Sequence, residues 1–588
     1  MTGTTEPRPL TSVGLVRQLA AASPSRVATF HRNLTGNWVP TTWEALWTEV
    51  QLAAAALRRL GLEPGERLAI MSHTCREWQI AELGAALAGA AVVGVDAHGS
   101  AAQAAFVLER ADAVALVADT QATLEKLGPE TLQHFKFVLL FEPAQRPIAA
   151  PAWAEALASV EGDRSPTAPD PTPDDPAVVI FTSGTTGEPK GIEYSHRQVM
   201  TACWAMVDAY AAIAGRLVCW LPMSALFQRM MNLVGFGNGS ITYFVEDPRE
   251  IVSLLPQIRP TALTSVPRFY EKVHDGIRDQ LDRQRGPAKA LASAALRVGN
   301  RWSRARRAGE RPGLWLRVQH TALDALVLRK IRAALGGEIK GLVSGSAALP
   351  VWLIDFFFSL GLPLLEAYGV TENPLPVAGN RPEVFRVGSV GKPFVGNDVR
   401  ISDEGEVLVK GPTMFQGYAG EAPASNRFTA DGYYRTGDYG HFDPDGYLYL
   451  TGRVSDIIKT STGRRIGPVR IEAIYGQSRY IDQIVVVGHN RLHLAALIFP
   501  NWPAVEAALA ASGAETAPDL IRRDLDLLGS SLASYELVRT FAFLPEPLSI
   551  EKGELTATLK LRRNHIEALH REVIDRMYAR HVAQAAVS

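Results

Sequence analysis

Phe181–Gly191 reads FTSGTTGEPKG, and the apolar run AVVIF, residues 177–181, leads into it. The run reads as a buried strand. Eleven residues then hold three glycines, four hydroxyl side chains and one lysine. Glycines let backbone N–H groups approach an anion, hydroxyls add donors and a lysine adds charge, so the stretch reads as a phosphate cradle. Its spacing is not GxxxxGK[ST]. Gly184 and Gly187 are followed by Glu188, Pro189, Lys190 and Gly191, so no P-loop helix starts there. Alone, the stretch also reads as a polar surface turn, and the rest of the chain has to decide.

A chain of 588 residues is too long for one core and implies two or more domains. With 47% hydrophobic and 21% charged residues it has the composition of a soluble enzyme. A net charge of −1 gives no global field to attract nucleic acid. Cys75, Cys203 and Cys219 form no CxxC and lie near no histidine cluster. That argues against a disulfide framework or structural zinc and fits a reducing cytoplasm. The opening MTGTTEPRPLTSVG lacks the apolar core of a signal peptide. The most apolar long window, VWLIDFFFSLGLPLL, is short and carries Asp355 and Pro363, so it reads as a core helix and turn.

Outward from the cradle, TWEALWTEVQLAAAALRRLG has helical spacing and stops at Gly61. RLAIMS and AAVVGVD read as buried strands with the helix REWQIAELGAALAGA between them. This βαβ rhythm implies a parallel sheet. Residues 163–176, rich in Pro and Asp, read as an exposed linker delivering the strand before the cradle. Residues 275–335 are helical in pattern and arginine-rich. They read either as a solvated insert or as a membrane-surface patch anchored by Trp302 and Trp315. Turn signals at DGYYRTGD and DPDGYLYLTGR place β-hairpins over 430–453. Beyond 453, strands QIVVVG and LAALIF alternate with helices, as in a small α+β domain.

Four further motifs carry chemistry. In LLEAYGVTEN a strand ends at Glu366–Ala367, and Tyr368, Gly369, Thr371 and Glu372 follow in a turn. A tyrosine ring can lie against a purine, a threonine can hold a phosphate, and a carboxylate can hold Mg²⁺ beside phosphate oxygens. In YRTGD, Asp438 can accept hydrogen bonds from two vicinal ribose hydroxyls, and Arg453 of GRVSDIIK can reach the same ribose. In GELTATLKLRR, Lys560 would be catalytic if a mobile domain brought it over a phosphate. Each motif also has an ordinary reading as a turn or a solvated charge.

In this order, FTSGTTGEPKG, LTSVPRFYEKV, LVSGSAALP, EAYGVTE, YYRTGDYGHFDPDGYLYLTGR and GELTATLKLRR resemble the adenylate-forming superfamily. That superfamily holds acyl-CoA synthetases, luciferases and peptide-synthetase adenylation domains, and the nearest resemblance is to bacterial long-chain fatty acyl-CoA synthetases. It runs from about Thr42 to about Arg563. The resemblance implies an α/β fold: a large N-terminal AMP-binding domain of layered α/β subdomains, residues 1–452, and a small mobile α+β domain, residues 453–588. It implies ATP, Mg²⁺ and coenzyme A, and a two-step reaction through an acyl-adenylate.

Residue by residue, the resemblance assigns Thr182, Ser183, Gly184, Thr185, Thr186, Gly187 and Lys190 to the pyrophosphate. Gly345, Tyr368 and Gly369 fall at the nucleotide, Thr371 at the α-phosphate and Glu372 at Mg²⁺. Asp438 and Arg453 fall at the ribose. Lys560 falls between substrate carboxylate and α-phosphate. Ser346, Ala225 and Gln228 fall in the substrate pocket, and Ser455 at the hinge. Three positions depart from the pattern. LPMSALFQR has Ala225 where the family has His and Gln228 where it has Glu, and Ser455 stands where Asp or Lys is usual. The implied activity is fatty acid activation and transfer to coenzyme A. The departures leave room for another acid (nitrite included) or another acceptor, a carrier-protein thiol or an amine. A nucleotide-binding relic is the reading without catalysis, and the retention of Lys190, Glu372, Asp438 and Lys560 argues against it.

Overall fold

The computed structural model describes residues 7–142, 150–161, 169–182, 189–418, 427–454, 456–512, 516–549, 551–555 and 561–585. The chain forms two compact units. One is Met1–Val399 with Val409–Tyr434, the other Arg400–Leu408 with Arg435–Ser588. This division falls upstream of residue 452, because the hairpin of Tyr434–Phe442 and Leu448–Arg453 packs with the helix Pro468–Tyr475 and with Arg400–Leu408, Gly440 donating its N–H to Gly405 O.

The βαβ rhythm builds the first sheet of the larger unit. Across it run Phe137–Leu140, Ala115–Ala118, Arg67–Met71, Ala91–Val95 and Pro176–Thr182, all parallel, with Lys190–Ser195 antiparallel at the edge. Parallel strands covered on both faces read as continuous apolar runs, and these do. Ala69, Met71, Val93, Val95, Leu116 and Ala118 meet Val107, Leu108 and Leu124 in one core. On the preceding segment, the Thr42 hydroxyl accepts the Ala45 N–H at 3.2 Å and starts the helix Trp43–Arg59.

The second sheet pairs Ala262–Ser265, Gly341–Ser344 and Leu364–Tyr368 in parallel, then adds Ala378–Gly379 and Lys392–Pro393 antiparallel. Its third strand runs one residue past the expected end at Glu366–Ala367, to Tyr368. Parallel pairing stops at Glu366, and antiparallel pairing of Ala367 and Tyr368 with Gly379 and Ala378 carries the strand on. Gly391, at φ +89°, must be glycine there: a Cβ would lie 2.0 Å from the Gly379 carbonyl carbon. A four-stranded sheet of Trp38–Thr42, Val27–Arg32, Ile241–Phe244 and Arg216–Cys219 completes the unit's sheets.

In the smaller unit, Ile481–Val487, Leu494–Pro500 and Val538–Phe543 form a three-stranded sheet buried on both faces. Ile484 and Val486 pack with Ile471, Tyr475, Ile521 and Leu525, while Val485 and Val487 face Ile566, Ile574 and Met577. That two-sided burial is why QIVVVG and LAALIF show no alternation.

Candidate active site

Phosphate cradles usually join a strand to a helix. Here the strand Pro176–Thr182 returns instead as an antiparallel partner, Thr182 opposite Lys190. Ser183, Gly184, Thr185, Thr186 and Gly187 lie outside the described residues, between those two strand ends. The Lys190 ammonium stands 5.0 Å from the ring centroid of Tyr418.

That tyrosine connects Lys190 to Glu372. The Tyr418 hydroxyl donates to Glu372 Oε1 at 2.6 Å, and Arg427 Nη1 donates to the same hydroxyl at 3.1 Å. Arginine can only donate. The phenol oxygen therefore accepts from Arg427, and its proton is directed at Glu372. Burial and the Glu372 charge push the Tyr418 phenol far above its ordinary pKa, so the proton stays in place. Burial and Glu372 raise the Tyr434 phenol in the same way. Phe415 packs on Tyr418, Phe428 and Tyr434 with centroids 5.0 to 5.6 Å apart and fixes the ring.

The turn carrying Thr371 and Glu372 is held along its backbone. Tyr194 donates its hydroxyl to Thr371 O at 2.6 Å, and the Phe415 N–H donates to Glu372 O at 3.0 Å. Asn373 Oδ1 accepts from Thr413 Oγ1 at 2.7 Å and from the Leu375 N–H at 3.2 Å. Tyr368 is buried at the strand end, and Gly369 and Thr371 are exposed. At the next strand's end, Gly345 lies against Phe227 and Ala367 O. Ser346 adopts φ +70°, the left-handed region where a side chain is strained.

A polar row crosses the carboxyl ends of this second sheet. Ser265, Ser344 and Glu366 are cross-strand neighbours and all buried. The two serine hydroxyls have no partner among the described residues. Desolvation raises the Glu366 carboxyl to about 8, against a hydrogen bond from the Leu349 N–H at 3.0 Å. Its folded pKa lies above the unfolded value. The folded chain thus holds a proton that the unfolded chain releases from about pH 4.3 upward. Stability from this group is complete below that pH and falls as pH rises toward 8. Glu366→Gln keeps the acceptor and removes the titration. The difference in unfolding free energy between wild type and this variant should shift in the variant's favour from pH 5 to pH 8, by up to ~1.4 kcal/mol per pH unit. A constant gap in calorimetry would contradict this.

The motif with the departures is clamped between elements. Thr74 Oγ1 donates to Leu221 O at 2.7 Å, and a Cβ at Gly94 would lie 2.6 Å from Ser224 O. Ala225 is the N-terminal cap of the helix Leu226–Gly237, half-buried and without a capping side chain. Gln228 was expected in the substrate pocket. It is buried, and both ends of its amide are engaged inside the fold. Oε1 accepts the N–H groups of Trp220 at 3.3 Å and Leu221 at 3.1 Å, and Nε2 donates to Asn232 Oδ1 at 2.9 Å. Its part is to hold the turn that carries Ala225.

Sequence reading missed Tyr418, Arg427 and Tyr194, whose only signal is an aromatic or basic residue outside the motifs. It also missed His73 Nδ1 paired with Asp119, at the carboxyl ends of two neighbouring strands. Burial opposes ionisation of Asp119, yet hydrogen bonds from His73 and Thr123 bring its carboxyl to about 2.

In the smaller unit, Asp438 and Arg453 are cross-strand partners. Arg453 Nε donates to Asp438 Oδ1 at 2.8 Å, and the carboxylate is buried while the guanidinium is half exposed. The tight turn expected before Asp438 is instead a continuous strand, in which Gly437, at φ +72°, donates its N–H to Glu406 Oε1 at 3.0 Å. Ser455 and Lys560 lie outside the described residues. The flanks of Lys560 are anchored. Leu555 and Leu561 form an antiparallel bridge, the Arg562 N–H donates to Glu554 O at 2.8 Å, and Arg563 makes a bidentate, nearly buried pair with Glu472.

The family model "AMP-binding enzyme" matches residues 16–419, and "AMP-binding enzyme C-terminal domain" matches residues 455–582. The long-chain-fatty-acid–CoA ligase FadD15 of Mycobacterium bovis is 33% identical over 567 residues, covering 93% of this chain and 94% of that protein. The rat long-chain-fatty-acid–CoA ligase ACSBG2 is 27% identical over 92% of this chain and 89% of its own. Among solved structures, the adenylation domain of a carboxylate reductase from Mycobacterium chelonae superposes with a TM-score of 0.79 at 24% identity, covering 98% of this chain and 92% of that one.

Proposed function

This chain belongs to the AMP-binding enzyme family, and on that premise we propose that it is an AMP-forming ligase joining a fatty acid to coenzyme A at the expense of ATP. The observation that carries the reading is end-to-end likeness to a long-chain-fatty-acid–CoA ligase, 33% identical over 93% of the chain. In the first step a carboxylate oxygen attacks the α-phosphorus of ATP, the bond to the bridging oxygen breaks, and pyrophosphate leaves. In the second the thiol sulfur attacks the acyl carbon, AMP leaves with the bond electrons, and the thiol proton passes to solvent.

The site residues fit this chemistry in named roles. Lys190 neutralises departing pyrophosphate together with the loop 182–187. Thr371 holds the α-phosphate, Tyr368 lies along adenine with Gly345 and Gly369 giving it room, and Ala225 and Ser346 border the acid. Asp438 and Arg453 hold the ribose, and Lys560 stabilises charge as the carboxylate attacks. Residues 453–588 act as the mobile domain, with Ser455 at its hinge. Among the described residues no group of three or more His, Cys, Asp or Glu side chains could hold a metal by itself. Glu372 supplies the single carboxylate that Mg²⁺ accepts when phosphate oxygens complete its shell. Bound there, the ion would neutralise charge on the phosphates.

Tyr418 orients that carboxylate, as hydrogen-bonded outer partners of metal ligands do. Tyr418→Phe removes one hydroxyl and keeps the ring. The apparent affinity for Mg²⁺ in acyl-adenylate formation should fall by ~10–100-fold, with the rate at saturating Mg²⁺ much less changed. An unaltered Mg²⁺ titration would show that the hydroxyl merely packs.

Fatty-acid-dependent exchange of labelled pyrophosphate into ATP, in the absence of coenzyme A, tests the first step. Exchange with long-chain acids supports the reading, and no exchange with any fatty acid contradicts it.

A further inference from the structure

Residues 346–348 form an exposed arch between two buried residues, Gly345 and Leu349. The arch leaves the strand Gly341–Ser344 and leads to Pro350, which caps the helix Val351–Ser359. Its first residue, Ser346, stands at φ +70°. A serine in the left-handed region is strained, and such strain lasts only where the surroundings impose it. Ser346, Ala347 and Ala348 make no hydrogen bond among the described residues. The conformation of the arch is therefore set from its two ends.

The two ends are fastened differently. At the near end the Gly345 N–H donates to Ser265 O at 3.2 Å, a bond between the backbones of neighbouring strands. At the far end the Leu349 N–H donates to Glu366 Oε1 at 3.0 Å, a bond to a side chain. The Leu349 side chain packs with Leu353 and Leu364, which fixes its depth, and the carboxyl fixes the direction of its N–H. Glu366 is held in turn. It stands in register with Ser344, the last strand residue before the arch, and its carbonyl accepts the Asn380 N–H at 2.9 Å. Burial raises its carboxyl to about 8, so near neutral pH it fills this apolar place uncharged and needs no counter-charge.

We propose that Glu366 is a positioning residue for the acid substrate: by fixing the far end of the arch it holds Ser346 in its strained conformation at the border of the acid pocket. The inference rests on the place given to Ser346 under the proposed function. Gly345 lies against Phe227, so the arch starts beside the helix that Ala225 caps, the other residue placed at the acid. Without the carboxyl, Gly345 keeps its backbone bond to Ser265, while the arch beyond it loses its second anchor and Ser346 relaxes. The loss should therefore fall on the acid and spare ATP, whose neighbours Gly345 and Tyr368 belong to the strand ends.

The test is pyrophosphate exchange by the full chain, with a long-chain fatty acid and ATP titrated separately. Glu366→Met keeps the length of the side chain and removes the acceptor. The half-saturating concentration of the acid should rise about tenfold, the effect of one buried N–H left without its partner, and that of ATP should change little. Glu366→Gln, a close mimic of the uncharged carboxyl, should behave as the wild type. Glycine adopts φ +70° freely, so Glu366→Met should cost much less when added to Ser346→Gly than when added to the wild type. Amide hydrogen exchange of residues 345–350, measured without substrates, should be faster in Glu366→Met and unchanged in Glu366→Gln. Equal rises for acid and ATP in Glu366→Met would overturn the positioning role and leave a general structural one. A glutamine variant as impaired as the methionine variant would also overturn it, as would unchanged hydrogen exchange over 345–350. A wild type that shows no exchange with any fatty acid contradicts the functional reading instead, and hydrogen exchange then still decides whether Glu366 fixes the arch.

Discussion

Lys560→Ala should slow acyl-adenylate formation by ~10²–10³-fold, the scale of losing one preorganised electrostatic contact in a transition state. As the carboxylate attacks, negative charge gathers between its oxygen and the α-phosphate oxygens. A lysine placed there stabilises the transition state more than the separated substrates, so the loss falls on the rate. The described residues on either side of Lys560 are anchored by the Leu555–Leu561 bridge and by the pair of Arg563 with Glu472. Alanine at 560 removes the charge and leaves those anchors in place. Given pre-made acyl-adenylate and coenzyme A, the variant should form thioester at near the wild-type rate, because that step needs no second neutralisation of the same charge. Rapid-quench single turnovers separate the two steps. Equal loss in both would contradict the role.

Asp438→Ala should weaken ATP binding by ~1.5–3 kcal/mol, the range for hydrogen bonds to a charged group. The carboxylate is buried at the start of its hairpin, and one oxygen takes the Arg453 Nε–H. Removing it takes away the ribose acceptor and releases Arg453 from its orientation. Arg453 is half exposed and can turn to water, so the damage to folding should be small. The affinity for the acid should change little. Asp438→Asn, which keeps the shape and an acceptor, should lie between. An unchanged Michaelis constant for ATP in the alanine variant would show that Asp438 only pairs with Arg453 across its hairpin.

How much could be read in advance depended on how local the cause was. The strand Pro176–Thr182, the helix Trp43–Arg59 and the βαβ unit of residues 67–95 follow from periodicity and capping within single segments. The end of Leu364–Tyr368 did not, because partners ten and twelve residues away extend it. The nucleotide motifs were legible because phosphate and ribose demand particular side chains at short spacing. Tyr418 and Arg427 were not. Their effect on Glu372 arises across 46 and 55 residues of chain, and nothing in their own neighbourhood signals it. Gln228 carries more than its motif shows. Its motif pointed to a pocket, while burial beside two backbone N–H groups gave it a structural task.

Mass analysis of a single reaction mixture tests the central claim most directly. The purified chain is incubated with ATP, Mg²⁺ and a long-chain fatty acid, first without and then with coenzyme A. The account predicts pyrophosphate release and an enzyme-bound fatty acyl-adenylate in the first stage, then its conversion to fatty acyl-CoA and AMP in equal amounts. Formation of ADP and phosphate, or an adenylate that coenzyme A leaves untouched, would contradict it.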